Sequence, residues 1–209
     1  MAEPLVSVVI PTHRRFQVLT ERSLPSVLNQ THQNLDIHVV SDGHSPGVED
    51  FIDDLNDSRI RYTELPKQDL PLSPPEAWCV LGLEARNFGH EQAMGGYIVG
   101  LDDDDELLPS MIETLLKHLW AADADVAYGR SKAFRADGGI DWYGNWPPQH
   151  FAFCEGAWLS KHDMGFRYDP ECISRGLPED GDRIDRMVAA GVRFTFVDEI
   201  VHYYYPNPR

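Results

Sequence analysis

Cysteine is nearly absent from this 209-residue chain: Cys79, Cys154 and Cys172 stand far apart. Their odd number argues against a disulfide framework, no pair has the spacing of zinc ligands, and each reads as a small buried hydrophobe. No apolar run approaches the ~20 residues that cross a bilayer, and Met1-Ala2-Glu3-Pro4 lacks the basic start of a signal peptide. These two absences predict a soluble, cytoplasmic protein without a transmembrane segment. Lysine is scarce as well, confined to Lys67, Lys117, Lys132 and Lys161. With 34 acidic against 18 basic residues the formal net charge is −16, a surface that repels nucleic-acid backbones and anionic membranes. Local basic spots stand at Arg14-Arg15 and Arg86.

A hydrophobic content of 42% with 25% charged residues suits a soluble globular protein, and the length suits one domain over residues 1–209. Residues 5–10, 35–40 and 60–65 read as strands. Helical periodicity covers 16–30, with Pro25 kinking or restarting the helix, and 50–56. Alternating strand and helix is the order of a parallel, doubly wound nucleotide-binding half. Neither G-x-G-x-x-G nor a Walker loop follows the first strand, so both phosphate fingerprints are missing. Residues 66–75 are proline-rich and predict an irregular loop. Helices are expected over 76–93 and 111–120, and a last one ends near Ala190, stopped by Gly191. Strands are expected at 126–129, 192–197 and 200–205, with a hairpin turning at Asp137-Gly138-Gly139.

One stretch organises the rest. Gly95-Gly96 opens a short apolar strand that runs straight into Asp102-Asp103-Asp104-Asp105-Glu106, and Pro109 marks the start of a helix. Strand ends in α/β sheets are where ligands bind. Clustered carboxylates repel one another, and a divalent cation carrying a phosphate relieves that repulsion. The other reading is a solvated acidic loop that caps the next helix. A second unusual stretch, 141–158, holds Trp142, Tyr143, Trp146, Phe151, Phe153 and Trp158. These aromatics either face sugars or other planar partners, or pack beneath a long loop.

These pieces, in this order, resemble the family 2 glycosyltransferases. Val6-Ser7-Val8-Val9-Ile10-Pro11-Thr12 is similar to the family's opening strand, and Val39-Val40-Ser41-Asp42-Gly43 to its second strand with an acidic tip. Ala85-Arg86-Asn87-Phe88-Gly89, then Leu101-Asp102-Asp103-Asp104-Asp105, is similar to its ARN-x-G and D-x-D-D block. Glu179-Asp180 resembles its ED segment. The resemblance implies an α/β, Rossmann-like GT-A fold, a mostly parallel central sheet flanked by helices. Its nucleotide-donor half would be 1–105 and its acceptor half 106–209.

The resemblance also implies inverting transfer of a sugar from a nucleotide-diphosphate donor, a UDP-sugar being favoured, to an acceptor hydroxyl, with Mn²⁺ or Mg²⁺ as cofactor. Asp104 would ligate the metal, and Asp102 would reach the ribose and the metal shell, with Asp103 in support. Pro11, Thr12 and Arg14 would line the base pocket, where Asp42 accepts from the imide N–H of a uracil-type base. Arg86 would lie near the base or diphosphate. Asp180 would be the catalytic base, with Glu179 and Asp182 as rivals and an ordinary helix cap as the other reading. His202 would complete the metal shell, or is simply a core residue.

The sequence departs from the family in its leucine- and proline-rich approach to Arg86, in lacking Q-x-x-R-W, and in its aromatic segment. The first departure leaves 61–85 without a template, the second argues against processive polymerases, and the third leaves the acceptor open. The competing readings are a nucleotidyltransferase or sugar pyrophosphorylase, and a non-catalytic nucleotide-sugar-binding relative. The oligomeric state stays open.

Overall fold

β-branched runs buried on both faces build the centre of the molecule, as parallel strands require. β1 (Val6–Thr12) is buried throughout, and β2 (Leu35–Asp42) is buried up to its last residue. The computed structural model describes residues 3–68, 73–150 and 152–205. Beyond β1 the chain forms α1 (Phe16–Val18), a π-helical turn (Leu19–Ser23) and α2 (Leu24–Leu28). The helix expected to be kinked or restarted at Pro25 is thus widened just ahead of it and restarts as α2. Proline has no N–H to close the regular turn, and a wider turn absorbs the defect.

α3 (Val48–Leu55) leads from β2 into β3 (Ile60–Leu65). The single helix expected over 76–93 is two: α4 (Pro74–Trp78), with a Ser73/Glu76 capping box, and α5 (Leu83–Gln92). Gly82 separates them at φ +76°, a left-handed conformation that glycine adopts without penalty. Of the irregular loop expected over 66–75, residues 69–72 lie outside the described residues.

β4 (Tyr97–Gly100) carries the acidic string, followed by β5 (Glu106–Leu107) and α6 (Met111–Ala121). Then come β6 (Val126–Phe134), β7 (Ile140–Tyr143), β8 (Trp158–Lys161), α7 (Cys172–Arg175), α8 (Glu179–Ala189) and β9 (Phe194–Tyr204). The two closing strands expected from the sequence are one strand. β9 runs parallel to β6 and passes Asp198-Glu199 through a register shift beside Gly129. A Cβ at Gly129 would press on the Val201 methyls, so the missing side chain lets the two strands stay together across the bulge.

Among the described residues the sheet order is β3-β2-β1-β4-β8-β6-β9-β5, with β7 paired to β6. β1, β2, β3, β4, β6 and β9 share one direction; β5, β7 and β8 oppose it. The sheet is mostly parallel, as expected. β1 has β2 on one side and β4 on the other, so the strand order reverses there, and such a switch point opens a crevice at the carboxyl ends. The main core packs the π-helical turn, α2 and α6 on the sheet through residues such as Leu19, Leu24, Val27, Met111, Leu115 and Leu119. Among the described residues no helix is long and apolar enough to cross a membrane.

Candidate active site

The carboxyl ends of β1, β2 and β4 and the first turn of α8 surround a cleft of about 490 Å³. Of the residues singled out from the sequence, Pro11, Thr12, Asp42, Arg86, Asp102, Asp103, Asp104 and Asp180 line it. Arg14 and His202 do not. Arg14 sits at φ +53° and gives its backbone N–H to Ser45 Oγ at 2.9 Å. This left-handed kink puts the neighbouring Arg15 in the cleft, where its Nη1 lies 2.6 Å from Asp104 Oδ2 and 3.2 Å from Asp103 Oδ1.

The acidic string alternates. Asp102 and Asp104 are half-buried, whereas Asp103 and Asp105 are buried. Thr12 Oγ1 donates to Asp103 Oδ2 at 2.7 Å. Desolvation outweighs Thr12 and Arg15 and pushes Asp103 up to about 6. Asp104 is raised by the same burial against the pull of Arg15. His202 stands behind this row. It is fully buried, with Nε2 3.2 Å from Asp105 Oδ2 and Nδ1 3.0 Å from Ser131 Oγ. Asp105 also accepts the Tyr205 N–H at 2.9 Å, and Arg22 binds the Asp104 carbonyl at 2.6 Å while stacking over the Tyr205 ring.

Arg86 is the cation at the centre, 7% exposed. It bonds Asp102 through Nη2, and its Nε lies 3.4 Å from Glu179 Oε1. Burial opposes its charge, but Asp102, Glu179 and Glu155 together hold it well above the usual range. In return, and against its own desolvation, Asp102 is held below the ordinary carboxylate range. Among the described residues Arg86 Nη1 and Nε are buried without a hydrogen-bond partner, Nε having only the 3.4 Å ion pair with Glu179. Buried donors left without a hydrogen bond are costly, and Arg86 lines the cleft.

At the β2 end of the cleft, Asp42 accepts from Lys67 Nζ at 2.6 Å and from the Gln68 N–H at 3.0 Å. At the far end, desolvation and then the charge of Glu155 push Asp180 up to about 6, although the Gly181 N–H bonds it at 2.6 Å. Glu179 is also buried in the cleft and raised, mainly by desolvation. Asp182 is not in the cleft: Arg175 and Arg186 clamp it on the other side of α8.

Sequence reasoning passed over Arg15, Lys67, Trp78, Leu81, Glu155 and Tyr204, which also line the cleft. Arg15 was flagged only by its adjacency to Arg14. Glu155 carried one signal, an acid set among the aromatics Phe151, Phe153 and Trp158 of that segment. That segment splits between its two readings. Tyr143 and Phe153 line the cleft, Phe153 stacks on Tyr128 with centroids 4.2 Å apart, and Trp158 is buried. Trp142 and Trp146 are exposed outside it, and Phe151 lies outside the described residues.

Among the described residues no three His, Cys, Asp or Glu side chains gather to hold a metal by themselves. The cleft does offer two carboxylates of the string, Asp102 and Asp104. An all-oxygen pair completed by phosphate oxygens is the donor set that Mg²⁺-type cations accept.

Comparison with solved structures finds the same fold. Staphylococcus aureus TarS 1–349 in complex with UDP superposes over 97% of this chain and 61% of its own, with a TM-score of 0.72 at 16% identity. A Pyrobaculum calidifontis mannosyltransferase in complex with GDP-Man and Mn²⁺ matches 100% of this chain and 59% of its own, at a TM-score of 0.70 and 14% identity. Both likenesses are of fold, and the GT-A architecture expected from the sequence is the one observed.

Among curated sequences, a Campylobacter jejuni GalNAc(5)-diNAcBac-PP-undecaprenol beta-1,3-glucosyltransferase is 34% identical over 116 residues, 54% of this chain and 34% of that protein. Streptococcus pneumoniae glycosyltransferase GlyG is 30% identical over 142 residues, 66% and 43% respectively. The chain thus spans less than half the length of these relatives. The family described as glycosyl transferase family 2 matches residues 7–72 and 82–173, a span that takes in β1, the Asp42 tip, Arg86, the acidic string and Glu155. The chain belongs to glycosyl transferase family 2.

Proposed function

We propose that this glycosyltransferase moves a sugar from a nucleoside-diphosphate donor, a UDP-sugar first among candidates, to an acceptor hydroxyl with inversion. The observation that carries the reading is the pairing, in one cleft, of buried Arg86 donors that lack a hydrogen bond among the described residues with the carboxylates of Asp102 and Asp104. A diphosphate supplies acceptors for the first and, with a divalent cation, neutralises the second. Asp102 and Asp104 would hold Mn²⁺ or Mg²⁺, which when bound withdraws charge from the leaving diphosphate. Arg15 and Arg86 add fixed positive charge on the same side. His202 is placed to support Asp105 rather than to reach the ligand.

Asp42 and Lys67 form an acceptor–donor pair at the cleft end where a base would lie, which suits an edge that both donates and accepts. Asp180 opposes the acidic row and would take the proton of the attacking hydroxyl. The solved neighbours were crystallised with UDP and with GDP-Man, so the nucleotide is an open variable of the test.

Thermal unfolding with UDP, GDP and CDP, each with and without Mn²⁺, checks the donor site. At about 100 times its dissociation constant a ligand adds roughly 2.7 kcal/mol. A Mn²⁺-dependent upshift with UDP that Asp104→Asn loses is the expected result. An upshift with GDP alone would reassign the role of Asp42, and no upshift with any diphosphate would overturn the donor site.

A further inference from the structure

Glu155 has no part in the reading above, yet it is one of the most constrained side chains in the cleft. It opens a 3-10 turn, Glu155–Ala157, just before β8. It is 4% exposed and lines the cleft. Room for it exists only because β4 ends in glycine: a Cβ at Gly100 would overlap the Glu155 carboxyl.

The hydrogen bonds behind Glu155 have a direction. Arg183 Nη1 donates to the Tyr168 hydroxyl at 2.9 Å, and a guanidinium can only donate. Tyr168, having accepted there, spends its single proton on Glu155 Oε1. Arg183 is itself fixed, its guanidinium carbon 4.7 Å from the Trp158 ring centroid. This chain satisfies Oε1 from behind and locks the carboxyl in place. Oε2 is left buried with no hydrogen-bond partner among the described residues.

An unmet buried acceptor costs free energy that a ligand recovers. Because Oε2 can only accept, its partner must donate. That excludes phosphate and ring oxygens and selects hydroxyl or amide N–H groups. Glu155 lines the same cleft as Arg86 and Asp102, at the proposed diphosphate end, and as Asp180, at the α8 end. The group that spans those ends during transfer is the donor's sugar.

We propose that Glu155 Oε2 accepts a hydrogen bond from a hydroxyl or N–H group of the glycosyl moiety being transferred, held for that task by Tyr168 and Arg183, and thereby helps select the sugar. The proposal rests on the donor-site reading and adds a specificity residue to it.

Calorimetric titration in Mn²⁺ with UDP, UDP-glucose, UDP-N-acetylglucosamine, GDP and GDP-mannose tests it on wild type, Glu155→Gln, Glu155→Ala and Tyr168→Phe. The expected result is a loss of about 10-fold or more in affinity for the sugar nucleotide in both Glu155 variants, the size of one hydrogen bond to a charged group. Binding of the bare diphosphate should stay within about twofold, which also reports that the variants are folded. Tyr168→Phe should fall between. A deoxy sugar nucleotide lacking the bound hydroxyl should lose affinity for wild type but not for Glu155→Ala. Equal losses for diphosphate and sugar nucleotide, or none for either, would overturn the assignment. So would an unchanged sugar-nucleotide Kd with a raised KM for the acceptor, which would move the contact to the acceptor. A wild type that binds none of the five ligands would overturn the donor-site reading and this inference together.

Discussion

Asp180 shows a single residue set against the stability of its fold. Its carboxyl is pushed up to about 6, mainly by desolvation, so the folded state holds a proton more tightly than the unfolded chain does. The stability penalty of ionising it is absent below the unfolded value near 3.8 and grows as pH rises towards about 6. Asp180→Asn removes the charge. We expect that variant to unfold at a higher urea concentration than wild type at pH 7, with the difference vanishing near pH 4. The same variant should lose roughly 10²–10⁴-fold in turnover if Asp180 is the base, and wild-type kcat/KM should fall on the acid side with a limb near 6. Urea melts at the two pH values and a pH–rate profile measure both; an equally active variant would dismiss the base. At this scale the sequence was informative where a motif fixed position, as at Asp42, Arg86 and Asp102 to Asp104. It was silent where a backbone angle decided which of two neighbours faces the cleft, as with Arg14 and Arg15, and where a partner came from far along the chain, as Lys67 does for Asp42.

Elements carry the site only as well as they pack, and α5 against β1 is the closest case. Gly89 on α5 lies directly over Val9, and a Cβ there would overlap the valine methyls. Gly89→Ala gains about 1 kcal/mol in helix propensity but overpacks at a cost of about 1–3 kcal/mol. Net destabilisation of about 1 kcal/mol is expected, recovered in part by Val9→Ala, with chemical denaturation as the readout. A net gain would mean that the interface has slack. The glycine of the Ala85-to-Gly89 block is thus explained by packing, and Arg86 rides on the same helix. Strands β1 and β2 were legible from their β-branched apolar runs, and β3 from the alternation of Ile60 to Leu65. The break between α4 and α5 was not, because Gly82 in an otherwise periodic helix reads as tolerable until its φ is known. The short strands β5 and β8 carry too few residues for periodicity to register. Their pairing is set by β9 and β4, which tertiary contact supplies.

For the molecule as a whole, the charge of −16 is a standing repulsion. Raising ionic strength from 0.01 to 0.15 M shrinks the Debye length from about 30 to about 8 Å. Sodium chloride over that range should therefore raise the thermal midpoint of the ligand-free protein by a few degrees, on the order of 1 kcal/mol at about 2–4 °C per kcal/mol. A midpoint that fell would show instead that ion pairs such as Arg15–Asp104 and Arg86–Asp102 govern the balance. The fold class was open to sequence reasoning because alternation of strand and helix dictates a parallel sheet. Which aromatics line the cleft was not, since Trp78, Tyr143 and Tyr204 come from three separate elements.

One feature of the acidic string bears on how the protein is made. Asp105 is held by the backbone of Tyr205, a hundred residues downstream, and Arg22 stacks on that same tyrosine. Thr12, Arg15, Arg22 and Arg86 brace Asp102 to Asp104 from upstream, whereas Asp105 waits for a partner from the far end of the described chain. β1 to β4 can thus pair early and bring Asp102, Asp103 and Asp104 to their partners, while Asp105 stays unbraced until β9 has threaded beside β6 and delivered His202 and Tyr205. Such a high-contact-order closure comes late in folding. The bracing of the acidic string is complete only after that closure.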